Sequence, residues 1–332
     1  MAATILKPKV LVTGSTGFVG KAVVKALLQA SYPVQAVVRQ MPPITISGEP
    51  QGFNSLILRA VGTINSQTNW TGALKDVSTV VHCAARAHVL AEYQADAVAA
   101  YREVNVAGTI NLAHQAAASG VKRFIFLSSI GVNGRQSVEP FTEIDLPKPQ
   151  DAYAVSKLEA EEALLALAQV SKTEFVIIRP PLVYGPNAPG NFGRLVKYIE
   201  WGLPMPFGAV HNLRSLVALD NLVSLLLFCV DQSRSPHAAN EVFIVSDGED
   251  ISTTSLLRKV AQAADRSCRL LPVSARLLRG VARLLGKDSI ADSLLGDLQV
   301  NDSKVRTLLG WRPSVTMDEQ LASMFNADNV NL

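Results

Sequence analysis

The sequence predicts an α/β protein: a doubly wound parallel sheet, followed by a smaller C-terminal α/β lobe. Three observations point there. Apolar, strand-like runs alternate with helix-spaced segments through the first half, which is the pattern of βαβ units. Those runs are continuously apolar rather than alternating, as strands covered on both faces are. Near residue 180 the texture changes, and "RPPLVYGPNAPGNFG" crowds together Pro, Gly and Asn. The expected division is a first domain over 1–180, with some later segments returning to it, and a second lobe over 181–332.

In chain order, "KVLVT" (9–13) reads as a strand that enters a turn spaced by Gly14, Gly17 and Gly20. The helix-spaced "GKAVVKALLQA" (20–30) follows. "VQAVV" (34–38) is the second strand, and "QMPPITISGEPQG" (40–52) reads as a flexible loop. "TVVHCA" (79–84), a long helical stretch over 97–119, "RFIFLSS" (123–129), "AVSKLEAEEALLALAQ" (154–169) and "FVIIRP" (175–180) continue the alternation. Beyond the Pro-rich loop, "SLVALDNLVSLLLFCV" (215–230) is broken by Asp220 and Asn221. It is too short and polar to span a bilayer and reads as a buried helix. "SARLLRGVARLLGK" (274–287) is basic and amphipathic. It reads as a solvated helix face packed on its lobe, with a membrane surface or a diphosphate as its other uses.

Composition excludes several classes. A net charge of +3 over 332 residues is too slight for a nucleic-acid-binding face. Three isolated cysteines suggest a reduced, cytoplasmic compartment rather than a disulfide framework. The N-terminus lacks the ordered regions of a signal peptide. Five histidines without ligand spacing suggest no metal.

The glycine turn has the chemistry of a phosphate cradle: a tight turn, close backbone approach, and helix amides with their dipole aimed at a pyrophosphate. Its candidates are Gly14, Thr16, Gly17, Phe18, Val19 and Gly20. At the end of the second strand, an acid would hold ribose hydroxyls and an arginine would hold a 2′-phosphate. "QAVVRQ" has Val38 and then Arg39, so NADP(H) is favoured and NAD is the alternative. Tyr153 and Lys157 stand four residues apart on one helix face. An ammonium beside a phenol is expected to lower its pKa and let it trade a proton with a sugar oxygen. Ser128 and Ser129 end the preceding strand, where a hydroxyl can bond the same oxygen.

Together with "VVHCAA" (80–85), "NVAGT" (105–109), "SSIGVNG" (128–134), "RPPLVYGP" (179–186) and "LGWRP" (309–313), these motifs resemble the extended short-chain dehydrogenase/reductase family in its nucleotide-sugar-modifying branch. The resemblance covers nearly the whole chain. It implies a Rossmann domain, a small substrate lobe, and homodimers paired through two helices per subunit. It also implies Ser129, Tyr153 and Lys157 as the catalytic set and Asn105 as active-site support. Ile64, Ala84, Ala85 and Pro180 would join the turn, Arg39 and Lys157 around the cofactor. Asn191, Phe192 and Arg214 would hold a UDP-sugar. The chain departs from the pattern at Thr63, Asn133, Leu182 and Asn221, and "ADSLLGDLQ" lacks a second diphosphate arginine.

A dehydratase would need acid and base after its catalytic hydroxyl, whereas Ile130 and Gly131 follow Ser129. The expected reaction is hydride transfer at C4 of a UDP-sugar by a 4-epimerase serving surface-polysaccharide synthesis. The alternatives are an NADPH-dependent reductase of a 4-keto-6-deoxy sugar nucleotide and a non-catalytic dinucleotide sensor.

Overall fold

The computed structural model describes residues 7–41, 55–87 and 95–325; most of the expected 40–52 loop lies outside them. The first half runs β1 (Lys9–Thr13), α1 (Phe18–Gln29), β2 (Val34–Val38), β3 (Leu56–Ala60), β4 (Val77–His82) and α2 (Ala95–Tyr101). A π-helical stretch (Arg102–Ala107) joins α2 to α3 (Gly108–Ala118). Then come β5 (Arg123–Leu127), α4 (Ala152–Ala168), β6 (Glu174–Arg179), β7 (Leu182–Tyr184), α5 (Gly190–Glu200), β8 (Arg214–Ala218) and α6 (Leu219–Val230). The remainder is β9 (Glu241–Ile244), β10 (Asp250–Ile251), α7 (Thr253–Ala263), α8 (Ala275–Leu284), α9 (Asp288–Leu295), α10 (Ser303–Leu309) and α11 (Met317–Phe325).

Two compact units emerge. The first takes residues up to Val132, Asp151–Arg179 and Val223–Phe243; the second takes Asn133–Gln150, Pro180–Leu222 and the chain from Ile244. The main sheet has the order β3-β2-β1-β4-β5-β6-β9, with parallel pairing from β3 through β6. This is the expected doubly wound sheet, with its order reversing on either side of β1. Leu11, Val80, Phe124, Phe126, Phe175 and Ile177 form one buried layer with Leu112, Ala116 and Leu164 from the helices. Continuous apolar strands become central strands because both of their faces are removed from water.

Polar groups inside this unit are tied. His82 ends β4, and its Nδ1 meets Thr13 Oγ1 at 2.6 Å while its Nε2 meets Thr109 Oγ1 at 2.9 Å. One imidazole thus links β1, β4 and α3. At the other end of β5, Arg123 is fully buried. It pairs with Glu174 at 2.7 Å and donates to the Cys229 carbonyl and Ser235 Oγ, each at 2.7 Å. A charge so placed is tolerable because every face of the guanidinium finds an acceptor.

In the second unit, β10-β8-β7 form a small sheet. Asp247 accepts from Tyr184 Oη at 2.7 Å, the Ala218 amide at 2.9 Å and Asn221 Nδ2 at 2.8 Å. Asn221 also receives the Ser314 and Val315 amides and donates to the Val315 carbonyl. Its amide satisfies donors and an acceptor at once, which an Asp carboxylate cannot do.

The expected elements need three corrections. β3 is a further strand: it lies at the sheet edge and is mostly exposed, so it lacks the apolar run of a central strand. The 215–230 segment is not one helix, because β8 ends at Ala218 before α6 begins. The Pro-rich loop contains the short β7 and the first turn of α5.

Burial holds His82 neutral, pulling its pKa down to about 3, and the Lys157 charge adds to the effect. The unfolded imidazole titrates at about 6.5, so between these limits the unfolded chain binds the extra proton and stability falls as pH drops. Thermal melts from pH about 6.5 downward should carry a slope approaching 1.4 kcal/mol per pH unit from this residue, roughly. A His82→Gln variant should melt lower at neutral pH yet show a shallower acid slope. An unchanged slope would remove His82 as the cause.

Candidate active site

The glycine turn lies between β1 and α1. Gly14 has φ +66°, a left-handed conformation that glycine adopts freely. A Cβ there would lie 2.8 Å from the Ala84 amide nitrogen, so the turn presses directly on the chain leaving β4. At Gly20 a Cβ would fall 2.1 Å from the Gly14 carbonyl oxygen, so only glycine lets α1 pack this close. Gly17 is the N-cap of α1, and no side chain caps it. The first amides of the helix are therefore presented to whatever sits at the turn. Thr16 is exposed, and Phe18 and Val19 are half-buried. Ser15 Oγ donates to the Val37 carbonyl at 2.6 Å and fixes the turn to β2. This backbone cradle fits a dinucleotide pyrophosphate.

The other expected cofactor residues sit along the same sheet edge. Ala84 and Ala85 are half-buried after β4, and the Ala84 amide donates to Thr13 Oγ1 at 3.2 Å. Arg39 is exposed, just past the end of β2. Ile64 is half-buried against α3: a Cβ on Gly108 would meet its Cγ2 at 2.7 Å.

Ser129, Tyr153 and Lys157 come together where β5 ends against α4. Asp151 caps α4 by accepting the Ala154 amide at 2.8 Å, which sets Tyr153 in the first turn. Lys157, one turn on, donates from Nζ to the Leu127 carbonyl at 2.7 Å. It lies 4.2 Å from the Phe126 ring centre and 5.9 Å from that of Tyr153. One turn further, Glu161 accepts from Ser128 Oγ and is bonded by Arg179 Nε at 3.1 Å to both of its oxygens. Ser128 is thus buried and spent on Glu161, which leaves Ser129 half-buried with its Oγ accepting the Gly131 amide at 3.1 Å. A Cβ on Gly131 would touch both Ser129 Oγ and Ala154 Cβ, so the serine and the first turn of α4 are neighbours.

Asn105 is buried in the π-helical stretch. It accepts the Arg86 amide at 2.8 Å and donates to the Arg86 carbonyl at 3.1 Å and Ser156 Oγ at 3.0 Å. It thereby braces the strand end after β4 against α4. Such π insertions recur at functional sites because they re-aim side chains within an otherwise regular helix.

The electrostatics differ from the expectation in one respect. Burial lowers the Lys157 ammonium to about 8, with Glu161 and Cys83 opposing. The Tyr153 phenol is pushed up rather than down, first by burial and then by Asp151 and Tyr101. The ammonium is engaged by the Leu127 carbonyl, so desolvation dominates at Tyr153 and the phenol is neutral here.

The residues expected on the substrate side belong to the second unit. Pro180, expected at the cofactor, also falls in this unit and is buried after β6. Asn191 donates to Ser293 Oγ at 3.0 Å and accepts from Arg194. Phe192 is buried with its ring 6.1 Å from that of Tyr184, so its side chain is spent in the core. Arg214 donates to the Gly296 carbonyl at 3.0 Å, and burial pulls it below its ordinary value against the pull of Asp297. Among the described residues, no group of three or more His, Cys, Asp or Glu is arranged to hold a metal ion.

Residues 10–244 match the model of the NAD dependent epimerase/dehydratase family. The chain belongs to that family. It is an enzyme of the extended short-chain dehydrogenase/reductase type with a nicotinamide-dinucleotide fold. A Vibrio cholerae relative, UDP-glucose 4-epimerase, is 46% identical over 93% of this chain and 92% of its own. The N-acetyl-α-D-glucosaminyl-diphospho-ditrans,octacis-undecaprenol 4-epimerase of Escherichia coli O157:H7 is 29% identical over 79% of this chain and 74% of its own. Among solved structures, a UDP-glucuronic acid 4-epimerase from Bacillus cereus, in complex with NAD, shares the fold. Its TM-score is 0.75 at 22% identity, with 96% of this chain and 97% of that one covered.

Within this family member, Glu161, Arg179, His82 and Thr109 were not apparent as parts of the site from sequence. The available signal was the i, i+4 step from Lys157 to Glu161. Arg179 and the Thr13–His82–Thr109 link depend on strand register, which no local pattern records.

Proposed function

We propose that this enzyme is a nucleotide-sugar 4-epimerase acting at C4 of a UDP-sugar, either UDP-glucose or a UDP-N-acetylhexosamine, in surface-polysaccharide and O-antigen sugar synthesis. The observation that supports this most is the clustering of Ser129, Tyr153 and Lys157 at the β5–α4 junction, in the same unit as the glycine turn. The 46% identity to a UDP-glucose 4-epimerase adds to it.

When bound, the nicotinamide supplies the acceptor and donor of hydride for oxidation and reduction at C4. Gly14, Thr16, Gly17, Phe18, Val19 and Gly20 would hold its pyrophosphate, with Ile64, Ala84, Ala85, Lys157 and Pro180 around the rest. Tyr153 takes the proton of the 4-hydroxyl as the alcohol becomes a ketone and returns it as the ketone is reduced. Ser129 Oγ donates a hydrogen bond to the same oxygen. Lys157 carries the charge that the phenolate form requires. Ile130 and Gly131 offer no acid or base beside Ser129, so the sugar loses no water. Arg214 would pair with the diphosphate, Asn191 with the nucleotide through its amide, and Phe192 through its backbone.

The cofactor preference we infer is NADP(H), from exposed Arg39 following Val38. A second reading has that same arginine in its favour: reduction of a UDP-4-keto-6-deoxy-N-acetylhexosamine by NADPH. The quaternary state we infer is a homodimer through α2, the π-helical stretch and α3. That face carries a hollow lined by Val98, Val106 and Ile110 beside the Arg102–Glu159 bridge of 2.6 Å.

Purified protein incubated with UDP-glucose and UDP-N-acetylglucosamine, without added cofactor, should form the 4-epimers. Tyr153→Phe should slow this by about 10²–10⁴-fold. Consumption of NADPH with a 4-keto sugar, and no epimer from either substrate, would replace the epimerase with the reductase. Arg39→Ala should shift the NADPH:NADH preference toward NADH by about tenfold or more; an unchanged ratio would sink the 2′-phosphate contact. By light scattering, Val98→Arg should halve the solution mass from dimer to monomer, and a wild type already monomeric would refute this interface.

A further inference from the structure

The basic segment expected to pack on its lobe does so with only part of its apolar surface. On α8, Leu278 and Ala282 pack against Val210, Ala291 and Leu295. A second stripe, Leu277, Val281, Leu284 and Leu285, recurs at i, i+4, i+7 and i+8 and stays 61%, 47%, 88% and 64% exposed. Such spacing aligns the residues along one flank of the helix. Arg276, Arg283 and Lys287 are exposed as well, Arg283 in a loose, solvent-exposed pair of 3.9 Å with Asp288 at the start of α9. Arg276 stands about 100° round the helix from Leu277, beside the stripe rather than within it. Arg279 is tied to the Leu295 carbonyl at 2.9 Å. The run 275–287 contains no Asp or Glu.

We propose that α8 is an interfacial helix that docks this protein on the surface of an anionic lipid bilayer. Four observations converge on that occupant. The exposed leucines form a continuous stripe able to enter the acyl boundary, and the cations beside them are placed to meet lipid phosphates. The segment leading into α8 is paired with 205–208, since Met205 donates to the Arg269 carbonyl, Leu271 to the Met205 carbonyl and Gly208 to the Leu271 carbonyl. Leu271, Leu203 and Trp201, on or near these runs, are exposed too, and tryptophan favours the headgroup level. A second copy of this chain fits less well, because an isologous contact would bring the same cations together, and Asp288, the one acid beside the run, already lies against Arg283 of its own chain. No helix among the described residues is long and apolar enough to cross a membrane, so the attachment is to one surface.

The test uses the full chain in vesicle co-sedimentation. Vesicles of phosphatidylcholine with phosphatidylglycerol should retain the protein, and pure phosphatidylcholine should retain it about tenfold less. Raising salt from about 0.1 M to about 0.5 M should release it from the mixed vesicles. Leu277→Ser with Leu284→Ser, and separately Arg276→Glu with Arg283→Glu, should each weaken retention by about tenfold or more. Circular-dichroism melts check that the variants fold; if the double leucine variant melts early, Leu284→Ser alone takes its place. Wild type left in the supernatant, or variants retained like wild type, overturns the proposal. So does a solution mass that falls with the leucine variant while no vesicle binding occurs, which would assign the face to a second copy.

Discussion

Behind Ser129 and Tyr153, the site depends on Glu161, one buried carboxylate shared among Ser128, Arg179 and the field at Lys157. Two buried cations face one anion, so the cluster holds one positive charge in excess while Lys157 is protonated. Burying an unmatched ammonium is costly, and its pKa falls accordingly. The arrangement survives because Lys157 spends its charge on the Leu127 carbonyl and the Phe126 ring. Glu161 is therefore the carboxylate that joins Arg179 at the end of β6 to Ser128 just past β5.

That excess charge has chemical value. A neutral phenol at Tyr153 suits the return of a proton to a ketone, and a phenolate suits its removal from an alcohol. An epimerase needs both states in turn. Tyr153 holds the first, because burial, with Asp151 and Tyr101 beside it, pushes the phenol up. The same logic explains why Ser128 and Ser129, adjacent and chemically alike, diverge. Just past the end of β5, one turns to the Glu161 anion and the other lies beside Gly131.

Much of this was legible in the sequence. Runs such as Val10–Val12 and Phe124–Phe126 state that they are buried on both faces, and the glycines at 14 and 20 state a backbone contact that no Cβ survives. The catalytic candidates are also local, fixed by helix spacing and by their position at a strand end. The rest was hidden for physical reasons. The edge strand β3 buries too little to write an apolar run. Between β8 and α6 there is no Gly or Pro to mark the change, because Ala218 and Leu219 suit either element. The π-helical stretch that seats Asn105 has no compositional mark at all. The Glu161–Arg179 pair exists because α4 packs over β5 and β6, a fact of register and packing rather than of any window of residues.

The helix α8 illustrates the remaining gap between pattern and packing. A helical wheel reports that apolar and cationic residues segregate, but not how much of the apolar arc finds a partner. Leu278 and Ala282 close one edge of that arc on Val210, Ala291 and Leu295, which satisfies the need to anchor the helix. Leu277, Val281, Leu284 and Leu285 lie outside that cluster, and their exposed area carries a standing cost in water. If the segment served only as packing, polar residues at 277, 281 and 284 would satisfy the same fold with better solubility. What distinguishes the observed sequence is therefore the combination: exposed leucines along one flank, arginines beside them, and no acidic residue within 275–287, the nearest being Asp288 at 3.9 Å from Arg283.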